Sequence, residues 1–189
     1  MTTEKQIYQI QITLKDSNPR IWRRFLTSSD ITLNELHKII QTTMGWANSH
    51  LHQFEKGRDC YAPKSFNIEE AKDSKEVKLD SLLQNEKDKM KYTYDFGDDW
   101  ELDIILEKIL PLNTSNEIPL CIAGSRACPP DDCGGIAGYE ELLEIISNPK
   151  HPDFDEKIEW LGENFDPEYF DMDEVNSMLK GKNFGCMTM

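Results

Sequence analysis

Positive charge is scarce in this chain: 21 Lys and Arg stand against 35 Asp and Glu, for a formal net charge of -14. The deficit is local. Between Asp131 and Glu174 there are 15 acidic and 2 basic side chains, a stretch that repels a polyphosphate backbone instead of releasing its counterions. Nucleic acid is therefore a disfavoured partner. Long apolar runs are missing too. None approaches the roughly 20 residues that span a bilayer, so no membrane association is expected. The opening Met1-Thr2-Thr3-Glu4-Lys5-Gln6 lacks the basic end and apolar stretch of a secretory signal. The five cysteines are therefore expected in a reducing cytoplasm, and their odd number argues against a disulfide framework. No internal repeat is present.

What remains is the composition of an ordinary globular chain, 38% hydrophobic and 30% charged over 189 residues, long enough for one compact unit. Tyr8, Ile10, Ile12 and Leu14 alternate with polar residues, the period of a half-buried strand. Asp16-Ser17-Asn18-Pro19 reads as a turn, and Ile21 to Leu26 as the returning strand of an antiparallel hairpin. A helix follows. Thr32 and Glu35 make a capping box, Ile31 can staple to Leu36, the apolar stripe is Leu33, Leu36, Ile39, Ile40 and Met44, and Gly45 stops it.

His50 to Phe54 reads as a third strand, and residues 56 to 78 as irregular apart from a short piece near Cys60-Tyr61. Asp80 to Leu83 suggests a short capped helical turn. In Tyr92-Thr93-Tyr94-Asp95-Phe96-Gly97-Asp98-Asp99-Trp100, Tyr92, Tyr94 and Phe96 alternate on one strand face. Gly97-Asp98-Asp99 turns, and Trp100, Leu102, Ile104 and Leu106 alternate on the way back. Pro111 to Gly138 has no period and reads as a long ordered loop, after which helical spacing returns in three short pieces. The fold class is α+β: a β-grasp-like mixed sheet wrapped on one amphipathic helix over residues 1–110. Residues 111–189 follow as a Cys/Pro/Gly loop and an acidic helical lobe packed on the sheet, the whole forming one unit.

Five stretches carry a family resemblance: Pro19-Arg20-Ile21-Trp22-Arg23-Arg24, Met44-Gly45-Trp46 through Ser49-His50-Leu51-His52, Tyr92 through Trp100, Ala127-Cys128-Pro129-Pro130-Asp131-Asp132-Cys133-Gly134-Gly135, and Phe165-Asp166-Pro167-Glu168. In this order they resemble the plasmid Ri open-reading-frame-three-like family, from about Tyr8 to Leu179. Members include a passenger protein of an insertion element, so the resemblance implies an association with mobile elements and no established activity. A resolvase-like role fails on the residues. A serine recombinase needs a nucleophilic serine among arginines and a basic DNA-binding segment. Here the arginines are Arg20, Arg23, Arg24, Arg58 and Arg126, no serine joins the first cluster, and the C-terminal part is the most acidic.

Three constellations can carry chemistry. Cys121, Cys128 and Cys133 can hold a structural zinc, although their spacing lacks the short paired knuckles of common zinc sites and small buried thiols are the plainer reading. His50 and His52 share a face if their segment is a strand. With Asp95 and Asp98 they define the alternative function, a metal-dependent hydrolase. Arg20, Arg23 and Arg24 around Trp22 are interaction candidates, or pair internally with the acidic lobe. The function expected is a binding or interaction module with an unknown protein partner, no catalysis and no cofactor.

Overall fold

The computed structural model describes residues 5–112, 117–162 and 165–188. Eight strands form one sheet: β1 Gln6–Leu14, β2 Trp22–Ser28, β3 His52–Lys56, β4 Asp59–Ala62, β5 Lys72–Asp73, β6 Lys89–Tyr94, β7 Trp100–Pro111 and β8 Leu120–Ser125. Their order is β5-β4-β3-β6-β7-β1-β2-β8, antiparallel throughout except for the parallel pair β4–β5. Five helices accompany it: α1 Leu33–Met44, α2 Leu79–Leu82, α3 Gly135–Ser147, α4 Phe154–Leu161 and α5 Met172–Leu179. The class is α+β, as the alternating and helical periods predict.

Period decides which side is dry. On β1 the alternating Ile10, Ile12 and Leu14 are buried, and on β7 Trp100, Leu102, Ile104 and Leu106 have no exposed surface. They pack with α1, whose Leu33, Leu36, Ile39 and Ile40 are equally buried. Each such side chain contributes about 1.5–3 kcal/mol of transfer free energy. The capping box forms as expected: the Glu35 amide donates to Thr32 Oγ1 at 3.2 Å and the Thr32 amide to Glu35 Oε2 at 2.7 Å. Gly45, at φ 87°, closes the helix in the left-handed region. The five helices include the C-terminal lobe, in which α5 packs on both β8 and α1.

Five local expectations are corrected. The stretch from Pro111 to Gly138 is not all loop, because Leu120–Ser125 pairs with β2 and brings residues from beyond 110 into the sheet. Strand β3 begins at His52, leaving His50 in the preceding bend. The region after residue 56 holds β4, β5 and a single 3-10 turn at Lys64–Phe66. Helix α2 is preceded by Lys78 with no side-chain cap, so Asp80 lies inside the turn and does not start it. Phe96 also leaves its strand: β6 ends at Tyr94, Asp95 takes φ 58°, and the Phe96 ring is 44% exposed.

Candidate functional site

Residues from all five motif stretches meet near the C-terminal end of α1, the first stretch through Arg23. Gly45 redirects the chain after α1, and Trp46 stacks on Tyr94 at 4.9 Å while its Nε1 donates to the Pro129 carbonyl at 3.3 Å. The turn after β6 is built by Asp95, whose Oδ1 accepts from the Gly97 amide at 2.9 Å and whose carbonyl accepts from the Asp99 amide at 2.6 Å. Asp98 Oδ2 accepts from the Gly134 amide at 3.1 Å, tying that turn to the start of α3. Ser49 Oγ donates to Asp131 Oδ2 at 3.4 Å. The Ala127 amide donates to the Pro167 carbonyl at 3.0 Å, and Arg23 reaches in from β2 to the Arg126 carbonyl.

The close approach at Gly135 is sterically exclusive. At φ 69°, a Cβ there would lie 2.5 Å from the Asp98 carbonyl oxygen. Gly135→Ala is expected to cost about 2–3 kcal/mol, the sum of left-handed strain and overpacking against backbone, read as a lower urea midpoint. An unchanged midpoint means that the loop yields.

The hydrolase quartet comes apart. His50 faces two carboxylates, with Nδ1 3.7 Å from Asp95 Oδ2 and Nε2 3.6 Å from Asp132 Oδ1. His52 instead points into the core, where its ring stacks on His37 at 3.4 Å with an interplanar angle of 6°. Strand pleating explains the split: His52 is the first residue of β3 and takes the inward position, whereas His50 precedes the strand and is free of its alternation. Asp98 is spent on Gly134. Two of the four residues therefore stay together, and Asp132 joins them.

The buried histidines form a polar network. Asn48 Nδ2 donates to the Met187 carbonyl, so Asn48 Oδ1 is an acceptor and takes its proton from His37 Nε2 at 2.9 Å. His37 Nδ1 then accepts from the Tyr92 hydroxyl, also at 2.9 Å, and that oxygen accepts from Gln41 Nε2. Among the described residues His52 has no hydrogen-bond partner on either nitrogen. Burial pushes His37 down to about 4 and His52 down to about 2; the stacked His37 opposes a charge on His52 further, and Lys38 opposes one on His37. Both rings are neutral at pH 7.

The cysteines do not assemble. Cys121 is buried on β8 with its thiol toward the Ala123 carbonyl, and among the described residues the three sulfurs form no group of donors within 4.8 Å of one another. Burial pushes Cys133 up to about 12 and Cys128 well above the usual thiol range, which opposes the thiolate that zinc requires. The arginines pair internally, though not with the acidic lobe. Arg24 bonds Glu107 on β7 at 2.5 and 2.7 Å, Arg20 bonds Gln11 and Thr13, and both guanidinium groups lie beside the Trp22 ring at 5.1 and 6.0 Å. Arg23 spends its donors on backbone carbonyls. Among the described residues, the arginine that pairs with a lobe carboxylate is Arg126, with Glu168.

Beside this junction lies a cleft of about 580 Å³ between the end of α1, the Cys128–Asp131 segment and the helical lobe. Trp46, Trp160, Phe165, Tyr169 and Phe170 line it, with Asp131, Asp171 and Glu174 as its carboxylates. Burial raises the Asp131 pKa against the opposing pull of the Ala47 amide, and among the described residues Asp131 Oδ1 is buried without a hydrogen-bond partner.

The family model described as plasmid pRiA4b ORF-3-like protein matches residues 6–174. The chain belongs to that family. A relative called uncharacterized protein y4hQ, from Sinorhizobium fredii (strain NBRC 101917 / NGR234), is 35% identical over 163 residues, covering 82% of this chain and 81% of that protein. The crystal structure of a protein of unknown function, MM3350 from Methanosarcina mazei Go1, is similar with a TM-score of 0.85 and 38% identity. It covers 92% of this chain and 99% of that one. The architecture described above is thus the architecture of an ORF-3-like protein. Residues of its five motif stretches, scattered along the sequence, meet at one place in the fold. Asp132 and His37, which sequence reasoning passed over, lie in or against that place. Asp132 had a signal in its position inside the fourth motif, whereas nothing in the spacing of His37 announced its stack with His52.

Proposed function

We propose that this chain is a binding module whose cleft receives a positively charged, apolar-bodied segment of a protein partner, with no catalytic step. The carrying observation is Asp131: a carboxylate with a buried, unpartnered oxygen in the wall of an aromatic cleft. A group that offers both a cation and a hydrocarbon stem satisfies that oxygen and stacks on the rings. Arg23 lines the same cleft but is committed to carbonyls, so the free charge there is negative. The surroundings support the choice of cation, with a net charge of -14 and the excess acid concentrated after Asp131. Trp160 and Tyr169 are 48% and 54% exposed, an apolar rim of the kind that marks contact surfaces.

Five free cysteines support residence in a reducing cytoplasm. Among the described residues no helix is long and apolar enough to cross a membrane. The plasmid-borne name of the family supports an association with mobile elements.

The test uses a peptide of alternating leucine and lysine against its leucine–glutamate counterpart, titrated calorimetrically at 0.15 M salt. Binding of the lysine peptide alone is expected, weakened about tenfold by Trp160→Ala, in the range of a desolvated cation–π contact. Equal binding of both peptides, or indifference to Trp160→Ala, overturns the reading.

A further inference from the structure

We propose that His50, Asp95 and Asp132 form a binding site for a first-row divalent transition-metal ion. One donor atom from each residue lies within 4.8 Å of the others. The two imidazole–carboxylate separations, 3.7 and 3.6 Å, are too long for hydrogen bonds. They leave from different ring nitrogens, Nδ1 toward Asp95 and Nε2 toward Asp132; an ion binds through one of them, whose distance to a carboxylate oxygen of each aspartate stays within 4.8 Å.

Two further observations point to a missing positive charge. Asp95 is 8% exposed, its Oδ1 is satisfied by the Gly97 amide, and its Oδ2 faces His50 with no hydrogen-bond donor among the described residues. His50 Nε2 is likewise buried without a hydrogen-bond partner. Asp131 stands next in the chain, so three carboxylates surround one imidazole. Among the described residues no lysine or arginine makes an ion pair with any of them. The inner carboxylate, Asp95, is held out of solvent without a paired lysine or arginine and needs a compensating cation.

The framework is rigid where it should be. The Asp95 amide donates to the Leu51 carbonyl at 2.9 Å, the Ser49 amide donates to the Tyr94 hydroxyl at 3.1 Å, and the Tyr94 ring meets the His50 ring edge-on at 5.7 Å. The histidine and the inner carboxylate are thus fixed, while the Asp132 side chain, 75% exposed, closes the set from outside. One imidazole with two carboxylates suits zinc or manganese, water filling the remaining positions.

The experiment uses the full chain stripped with a chelator and titrated separately with Zn²⁺ and Mn²⁺. One ion per chain is expected, with a melting temperature raised by about 5–10 °C at a hundredfold excess over Kd. His50→Ala and the solvent-facing Asp132→Asn should each weaken binding by more than about tenfold, comparable with the loss of a supporting group at known metal sites. Cys133→Ser should leave binding unchanged. Failure of both ions to bind the wild-type chain, persistence of binding in both ligand variants, or loss in Cys133→Ser overturns the assignment. Circular dichroism of Asp132→Asn separates loss of a ligand from loss of fold.

Discussion

Acidification from pH 6.5 toward 4 is expected to destabilise this protein steeply, because two histidines buried as neutral rings must take up protons on unfolding. Their folded pKa values lie below the ordinary 6.5, at about 4 for His37 and about 2 for His52. The unfolded chain therefore binds more protons across this window. Stability is complete above pH 6.5 and is lost as pH falls toward the folded values, at up to about 3 kcal/mol per pH unit for two protons. By pH 4 His37 alone accounts for about 3 kcal/mol. That is a large share of the 5–15 kcal/mol typical of a domain. Structure explains why neither ring charges in place: protonating His37 Nδ1 removes the acceptor of the Tyr92 hydroxyl, and its neighbour 3.4 Å away is another imidazole. Urea denaturation at pH 7, 6 and 5 measures the slope. His52→Phe, which sacrifices no hydrogen bond, should remove about half of it. An identical slope in that variant means that protons elsewhere dominate.

Arg23→Ala is expected to cost about 3–5 kcal/mol, and the loss should be insensitive to salt. The guanidinium is 2% exposed and donates from Nε to Thr43 at 2.7 Å, from Nη1 to Trp22 at 2.8 Å and Ser125 at 2.9 Å, and from Nη2 to Arg126 at 2.8 Å, all backbone carbonyls. It also lies over the Phe170 ring at 4.3 Å. Truncation orphans four acceptors, each a buried polar group with a cost of its own. Docking onto the acidic lobe would make the effect fall with ionic strength; neutral carbonyl partners make it constant. Arg23→Lys should recover little, since one ammonium cannot reproduce the planar fork. Urea midpoints at 0.05 and 0.5 M salt decide the matter, and a loss that fades with salt contradicts the carbonyl assignment.

How far the sequence carried the reading follows from the physics of each element. Helix α1 was legible to the residue, because its stripe, capping box and terminal glycine are independent local signals that agree. The β1–β2 and β6–β7 hairpins were legible from alternation. Strand β8 was not: of its six residues only Cys121 is buried, and Ala123 and Gly124 contribute no hydrophobic beat. Its place is set by pairing with β2 and by the α5 cover, both long-range. At Phe96 alternation misled, since the left-handed Asp95 ends the strand one residue before the ring. His50 and Asp95, 45 residues apart, were found because their segments read as neighbouring strands, whereas Asp132, 37 residues from Asp95, lies in a stretch that read as loop and needed the fold.

That separation has a kinetic side. The loops that meet beyond α1 are joined by contacts 82 residues apart between Ser49 and Asp131 and 103 apart between Arg23 and Arg126. Closing such spans is entropically late work for a folding chain, which gathers local hairpins and helices first. The junction is therefore expected to form late in folding, after the local hairpins and helix α1. A chain ending at residue 110 keeps His50 and Asp95 yet has no Asp131 or Asp132 to meet them. Occupancy of the site is thereby a report that the whole polypeptide has folded.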